Sequence, residues 1–313
     1  GYLGKARHRL NLTIRPNCLV HRILFEGSRA TGVLVESGNS IFSVYGNEII
    51  LSAGAIESPH ILMLSGVGPA KNLISHSIPV IQDLPGVGQN LRDHPQVNLI
   101  WKTKSDFLQD PLGPLMQVAL RYTAQGSSLR NDMFIHPVSA DRTEEMKPVS
   151  DGSGLRIRMT AINYLCAGAG EMLLASPDPR IQPFLDYNYL TEETDRSRLR
   201  EATRMCLEAA DNEAYSSIIA ERVDPSDNDL TSDENLDRWL RRTARTTHHV
   251  SGTCKMGPAS DPTAVVDQHG LVHGVDGLRV ADASIMPDCV RANTNVTTMV
   301  IGERMADFIR GCN

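Results

Sequence analysis

Residues 54–68 read GAIESPHILMLSGVG and directly follow the apolar segment NEIILSA, residues 47–53. Proline suits the first helical position and glycine the residue after a helix, so a short helix is predicted from Ser58-Pro59 to Gly66. The small residues at the junction would place free backbone N–H groups where a cofactor can approach closely. An ordinary strand-turn-helix unit without a ligand is the alternative.

The chain before this junction predicts a strand meander. Four apolar segments are separated by turn-forming residues: CLVHRILF (18–25), GVLVE (32–36), IFSVY (41–45) and NEIILSA (47–53). Such short runs, bounded by glycine, serine and asparagine, are typical of β-strands joined by turns. A second short helix is predicted around AKNLISH, residues 70–76. The turn-rich residues 83–96 that follow are a natural domain boundary.

The rest of the chain mixes strands and helices. LRIRMTAI (155–162) alternates as a strand does, and DRSRLREATRMCLEAA (195–210) has helical spacing. The predicted core face of that helix consists of Leu199, Ala202, Met205, Cys206 and Ala209. Residues 264–284 return to strands and turns, and residues 293–309 predict a last helix.

Composition excludes several classes of protein. The 313 residues are 41% hydrophobic and 22% charged, which is ordinary for a globular protein, and the net charge of −6 argues against a nucleic-acid partner. Six cysteines are scattered without a C-x-x-C pair, so reduced thiols and a cytoplasmic location are expected. No apolar run is long enough to predict a transmembrane segment.

Residues 54–68 resemble the second signature of the glucose/methanol/choline (GMC) oxidoreductases, flavoenzymes that oxidise alcohols. Four more segments resemble family motifs: LPGVGQNLRDH (84–94), HHVSGTCKMG (248–257), GLRVADASIMP (277–287) and NTNVTTMVIGERMAD (293–307). They stand in the family's order and cover nearly the whole chain, most weakly from about 100 to 180. Among its members, the chain is most similar to the choline-dehydrogenase-like enzymes.

The resemblance implies an α/β (α+β) fold in three parts. Residues 1–92 and 245–313 would belong to a Rossmann-like FAD-binding domain, and residues 93–244 to a substrate-binding domain with an antiparallel sheet. The family begins with a strand, a G-x-G-x-x-G turn and a helix, and no such element occurs here. The chain is therefore expected to be the carboxyl-terminal portion of a longer enzyme, with a redox-inactive fragment as one alternative.

His249 stands at the spacing of the family's catalytic histidine. An alcohol must lose its hydroxyl proton as hydride leaves the same carbon, and a base with a pKa near 6.5 can accept that proton. His248 is the adjacent alternative, although the count back from Gly252-Thr253 favours His249. Without the motif, a lone histidine would more often be structural.

Asn295 matches a family position that carries histidine or asparagine. An amide cannot act as a base, but it can hydrogen-bond the substrate oxygen and direct the hydroxyl towards the base. The alternative is that Asn293, Thr294 or Asn295 only caps the last helix. The same helix N-terminus would favour negative charge on the reduced flavin.

The resemblance also implies FAD as the cofactor. Val20 matches the position whose backbone contacts adenine, and Asp282 and Ala283 match the segment beside the ribityl chain and pyrophosphate. The implied cofactor-binding residues are Val20, Ala53, Gly54, Asp282, Ala283, Asn295 and Val296.

The implied reaction is oxidation of a small-molecule alcohol to an aldehyde or ketone by hydride transfer to flavin N5. The sequence identifies neither the alcohol nor the electron acceptor. A hydroxynitrile-lyase-like protein that keeps FAD is an alternative from another class. His269 and His273 have the spacing of zinc ligands on a helix, but Gly270 and Gly274 predict a turn, so no metal site is expected.

Overall fold

The computed structural model describes residues 1–108, 113–139 and 155–311. The helices are α1 (Tyr2–Ala6), α2 (Gly54–Leu64), α3 (Ala70–Ser75), α4 (Glu193–Ala210), α5 (Asp233–Thr243) and α6 (Thr294–Ile309). The strands are β1 (Leu19–Glu26), β2 (Arg29–Ser37), β3 (Ser40–Tyr45), β4 (Ile49–Leu51), β5 (Val67–Gly68), β6 (Gln82–Asp83), β7 (Pro95–Thr103), β8 (Leu120–Tyr122), β9 (Met133–Val138), β10 (Arg156–Asn163), β11 (Glu171–Leu173), β12 (Phe184–Asp186), β13 (Ile219–Asp224), β14 (Arg245–Thr246) and β15 (Leu278–Val280).

The predicted meander is correct for three of its four strands. Strands β1, β2 and β3 form an antiparallel sheet in sequence order. Strand β4 leaves that sheet and pairs in parallel with β15, far along the chain. Because β3 is exposed along most of its length, β4 buries its apolar side chains better beside the fully buried β15.

Helix α2 begins four residues earlier than predicted, at Gly54, and therefore contains Pro59. A proline has no N–H to donate to the carbonyl group four residues before it, here that of Ala55. The Thr253 hydroxyl donates to this carbonyl oxygen at 2.6 Å, which replaces the missing bond. The predicted end is confirmed, because α2 stops at Leu64 and Gly66 takes a φ of +86°.

An antiparallel sheet forms the middle of the chain, as predicted. Its strands run in the order β13, β7, β10, β9 and β8, and β14 also pairs with β7. Helices α4 and α5 pack against this sheet around the buried Trp239. The predicted core face of α4 is shorter than expected, since Leu199, Ala202 and Cys206 are buried whereas Ala209 is exposed.

The apolar core falls into two clusters. One surrounds α2 between the β1–β3 sheet, β4 and β15, and the other lies between the large antiparallel sheet and helices α4 and α5. The predicted last helix is confirmed as α6, which packs on the 3₁₀ turn Ala283–Ile285. The fold is thus the predicted mixture of helices and sheets. Within the three described ranges, no helix has the length and apolar character needed to cross a bilayer.

Candidate active site

Two distant segments run side by side and bring Asp93 and His94 to His249. The backbones of Arg92 and Ser251 exchange two hydrogen bonds, of 2.9 and 2.8 Å. Beside them Gly252 has a φ of +83°, and a Cβ there would lie 2.6 Å from the backbone oxygen of Asn90. Only glycine allows this close approach.

The buried Asp93 carboxylate is the common acceptor at this crossing. It accepts hydrogen bonds from the Tyr189 hydroxyl at 2.6 Å, from the Thr246 hydroxyl and from the backbone N–H of His249 at 3.0 Å. Burial, followed by the Asp93 charge, raises the pKa of Tyr189, so its hydroxyl stays a donor. Asp93 therefore fixes the backbone on which the His249 ring stands.

The rings of His94 and His249 meet edge to face, with their Nδ1 atoms 3.0 Å apart. Nε2 of His94 lies 2.9 Å from the carbonyl oxygen of Val290, which can only accept, so Nε2 carries a hydrogen. Burial lowers the pKa of His94 to about 4, which keeps the ring neutral and its Nδ1 unprotonated. Nδ1 of His249 must then donate, and Nε2 of His249 is left as an unprotonated nitrogen.

The surroundings of His249 favour its neutral form. Burial lowers its pKa, the charge of Asp93 raises it, and the neighbouring His248 lowers it. The Thr247 hydroxyl lies 2.9 Å from Nδ1, the same nitrogen that faces His94. His248, in contrast, is exposed and takes a φ of +62°. These contrasts favour His249 over His248, as the sequence does.

Predicted cofactor residues cluster at the start of α2. Oδ2 of Asp282 accepts from the backbone N–H of Gly54 at 3.0 Å and from the Ser58 hydroxyl. The backbone N–H of Ala53 donates to the same hydroxyl oxygen at 3.0 Å. The expectation that these two N–H groups are free is therefore wrong, because a helix N-terminus attracts the nearest carboxylate.

The backbone at Gly54 is nevertheless open to a large flat group. A Cβ built at Gly54 would have no heavy atom within 4 Å, and its φ is +89°. A cleft of about 520 Å³ brings the predicted residues Val20 and Ala53 together between β1 and β4. Ala283 lies on the turn that packs against both α2 and α6. The open backbone at Gly54 and the cleft beside Val20 and Ala53 leave room for a flat cofactor ring.

Asn295 and Val296 lie in the first turn of α6, and both are exposed. Asn293 holds the N-cap position, yet its side chain makes no capping hydrogen bond. In the part of the chain that the structure describes, no hydrogen bond connects Asn295 with His249. Two contacts connect the start of α6 and the loop before it with His94. The Val290 carbonyl oxygen accepts from His94, and Asn293 Oδ1 lies 3.5 Å from the hydroxyl of Tyr164, whose ring packs on His94.

Two aromatic rings beside His94 contact the guanidinium group of Arg121. The Tyr164 ring lies 4.7 Å from the His94 ring and stacks on Phe134 at 5.1 Å. The Arg121 guanidinium lies over both aromatic faces, 5.4 Å from Tyr164 and 5.8 Å from Phe134. No carboxylate pairs with Arg121 among the described residues.

Sequence reasoning gave no role to Asp93 and His94. Their segment, residues 84–94, was interpreted as a family motif and as a turn-rich domain boundary. The available signal was that this motif ends in an acid and a histidine, the residue types that orient and exchange protons.

The predicted turns around His269 and His273 are confirmed, since Gly270 and Gly274 both have a φ of +75°. The His269 ring packs against Phe308, and Nε2 of His273 lies 3.0 Å from the carbonyl oxygen of Gly257. Across residues 1–108, 113–139 and 155–311, no three metal-binding side chains come together.

Two family models match this chain, and both describe the same family. Residues 1–96 match the amino-terminal model of the GMC oxidoreductases, and residues 167–302 match the carboxyl-terminal model.

Curated relatives match over the full chain. The oxygen-dependent choline dehydrogenase of Yersinia pseudotuberculosis serotype IB (strain PB1/+) is 37% identical over 338 aligned residues, which cover 100% of this chain and 59% of the relative. That of Escherichia coli O17:K52:H18 is 36% identical and is covered to 60%. The chain thus spans about three fifths of the length of these relatives.

Solved structures agree on the fold. Pyridoxine 4-oxidase from Mesorbium loti superposes with a TM-score of 0.86 at 26% identity, over 98% of this chain and 60% of that one. A formate oxidase gives a TM-score of 0.85 at 24% identity, over 97% of this chain and 62% of that one, and supports the fold alone.

Proposed function

The chain belongs to the GMC oxidoreductase family, and we propose that it carries the proton-accepting part of an FAD-dependent enzyme that oxidises an alcohol to an aldehyde or ketone. The observation that supports this proposal most is the contact between His94 and His249. It leaves Nε2 of His249 unprotonated in a half-buried site, which is the state that a general base needs.

In this proposal His249 takes the hydroxyl proton of the alcohol on Nε2. Its lowered pKa keeps the ring neutral at neutral pH, so the base is in its reactive form before the substrate arrives. After the transfer both ring nitrogens carry hydrogen, and the charge of Asp93 stabilises the imidazolium. His94 acts as a positioning residue, because its single acceptor nitrogen dictates which nitrogen of His249 is protonated.

The flavin, when bound, supplies the acceptor for the hydride of the alcohol carbon. Val20 and Ala53 would hold it along their shared cleft, the open backbone of Gly54 would lie against it, and Asp282 and Ala283 would support that surface. Asn295 and Val296 would contact it from the exposed first turn of α6. Asn295 would also donate a hydrogen bond that orients the alcohol oxygen.

The charge beside the site favours a substrate other than choline, the compound in the relatives' names. Aromatic faces commonly bind a quaternary ammonium group through cation–π attraction. Here the faces of Tyr164 and Phe134 already hold the Arg121 guanidinium. A second cation would be repelled, so we infer an uncharged or anionic alcohol.

Anaerobic mixing of the flavin-loaded enzyme with alcohols tests both statements. We expect 3,3-dimethylbutan-1-ol, the uncharged isostere of choline, to bleach the flavin absorbance faster than choline, by about tenfold or more. Arg121→Gln should narrow that difference. A strong preference for choline would contradict the substrate class alone. A flavin that no alcohol bleaches, in an enzyme that cleaves cyanohydrins, would contradict the oxidation itself.

A further inference from the structure

Two cysteines meet directly behind the active-site backbone. Cys166 lies in the loop between β10 and β11, and Cys289 lies in the loop before α6. Their Sγ atoms approach the same atom, the carbonyl oxygen of Asp93, at 3.3 and 3.5 Å. Both thiols therefore face the same point of the backbone. Both are free cysteines in this structure.

The surroundings distinguish the two thiols chemically. The Arg92 side chain donates to the backbone carbonyl oxygen of Cys166 at 3.0 Å, which places its positive charge beside the pair. The contact with Cys289 and the charge of Arg92 lower the pKa of Cys166 more than burial raises it, whereas the contact with Cys166 and burial both raise the pKa of Cys289. The two thiols therefore titrate as a pair, in which one sulfur loses its proton before the other.

Small molecules can reach this pair. Both side chains are 7% exposed, and both line a cleft of about 600 Å³ together with Arg92 and Arg291. Cys206 and Cys254 are different, because each is closed inside one of the two apolar clusters. Burial raises the pKa of Cys206 to about 12 and raises that of Cys254 as well. These two thiols are unreactive by comparison and serve as internal references.

We propose that Cys166 and Cys289 form a reversible disulfide when the protein meets hydrogen peroxide. The Cys166 thiolate attacks one oxygen of hydrogen peroxide and the O–O bond breaks. The leaving hydroxide takes up the proton that Cys166 had released, so a sulfenic acid and one water result. The Cys289 sulfur then attacks the Cys166 sulfur and displaces the second water. Two thiols lose two electrons and two protons in total, and the peroxide is reduced to two water molecules.

The bond would join two loops that both touch the site. Residue 290, next to Cys289, supplies the carbonyl oxygen that accepts from His94, and Asp93 supplies the carbonyl oxygen that both sulfurs contact. The oxidised protein would therefore hold the loop before α6 against the loop between β10 and β11, and the Asp93 carbonyl oxygen would lose both thiol donors. Formation of the disulfide requires no alcohol turnover, so it can be judged independently of the proposed function.

Mapping of thiols after peroxide treatment tests the proposal. The folded protein is exposed to hydrogen peroxide, free thiols are blocked with N-ethylmaleimide, and peptides are analysed by mass spectrometry without reduction. We expect a peptide pair linked through Cys166 and Cys289, with its loss on treatment with dithiothreitol, while Cys206 and Cys254 stay reduced. Cys166→Ser should abolish the linked pair, and Cys206→Ser should leave it unchanged. Oxidation of Cys166 or Cys289 to sulfinic acid with no linked peptide, or full resistance of both thiols in the native enzyme, would overturn the proposal.

Discussion

Nδ1 of His94 and Nδ1 of His249 lie 3.0 Å apart, although 155 residues separate them in the chain. Nε2 of His94 donates to the carbonyl oxygen of Val290, and this bond determines which nitrogens of the two rings carry hydrogen. In the proposed function this contact orients His249 as the base, and the predictions on stability and pH dependence start from the same pair of rings.

The stability of the protein should depend on pH through His94. Its pKa falls from 6.5 to about 4 on folding, so between these values the unfolded chain binds a proton that the folded chain does not. The free energy of unfolding should therefore decrease as the pH drops through this interval, by about 3 kcal/mol at most. Urea unfolding across the interval measures this slope. His94→Gln should flatten it, and an unchanged slope in that variant would mean that other groups cause it.

The close approach of the segments around Arg92 and Ser251 should require glycine at position 252. Gly252→Ala adds a Cβ that would lie 2.6 Å from the backbone oxygen of Asn90, at a φ of +83°. We expect a loss of about 2 kcal/mol or more in the free energy of unfolding. Gly302→Ala is the matched control, since it lies in α6 with open space around its Cα and should stabilise by about 0.5–1 kcal/mol. Equal effects of the two changes would contradict the close approach.

A comparison of Asn295→Ala with Asn293→Ala distinguishes a role in orienting the substrate from a role in capping α6. Asn295→Ala should raise the barrier to flavin reduction by about 1–3 kcal/mol, because it removes a hydrogen bond to the alcohol oxygen. Asn293→Ala at the N-cap position removes no capping bond and only a long contact of 3.5 Å with the Tyr164 hydroxyl, so it should change the rate little. Both variants are compared in rapid-reaction experiments at equal flavin content. Similar losses in both would assign the effect to the helix start instead of to the substrate.

Sequence patterns predicted the local elements well and the long-range pairings poorly. The strands of the meander, α4 and α6 could be predicted because each carries its own periodicity. The partner of β4 could not be predicted, because parallel pairing with β15 depends on which distant strand is buried. The start of α2 was missed because the hydroxyl that compensates for Pro59 comes from Thr253.

The same limit applies to the site. The motif around residues 248–257 pointed to His249, but nothing in the sequence states that His94 faces it or that Val290 orients His94. The hydrogen bond from the Gly54 N–H to Asp282 could not be predicted either, since the two residues are 228 positions apart. The roles towards the flavin stay predictions for all seven residues: Val20, Ala53, Gly54, Asp282, Ala283, Asn295 and Val296.

His248 offers a test of the electrostatics around the base. Its charge lowers the pKa of His249, so His248→Asn should raise that pKa and move the acidic limb of the rate profile to higher pH. Asparagine is chosen because it tolerates the positive φ of this position. The rate above the limb should stay near that of the native enzyme. A limb that moves to lower pH would mean that the group observed in the profile is not His249.

The central claim, that His249 is the base, is tested most directly by stopped-flow measurement of flavin reduction under anaerobic conditions. In flavin-loaded enzyme with its best alcohol, His249→Ala should slow reduction by about 10²-fold or more, the usual loss when a general base is removed. His248→Asn, measured at neutral pH and equal flavin content, should reduce at close to the native rate. Native reduction by His249→Ala would contradict the account, and a dead His248→Asn beside it would transfer the role to the neighbouring histidine.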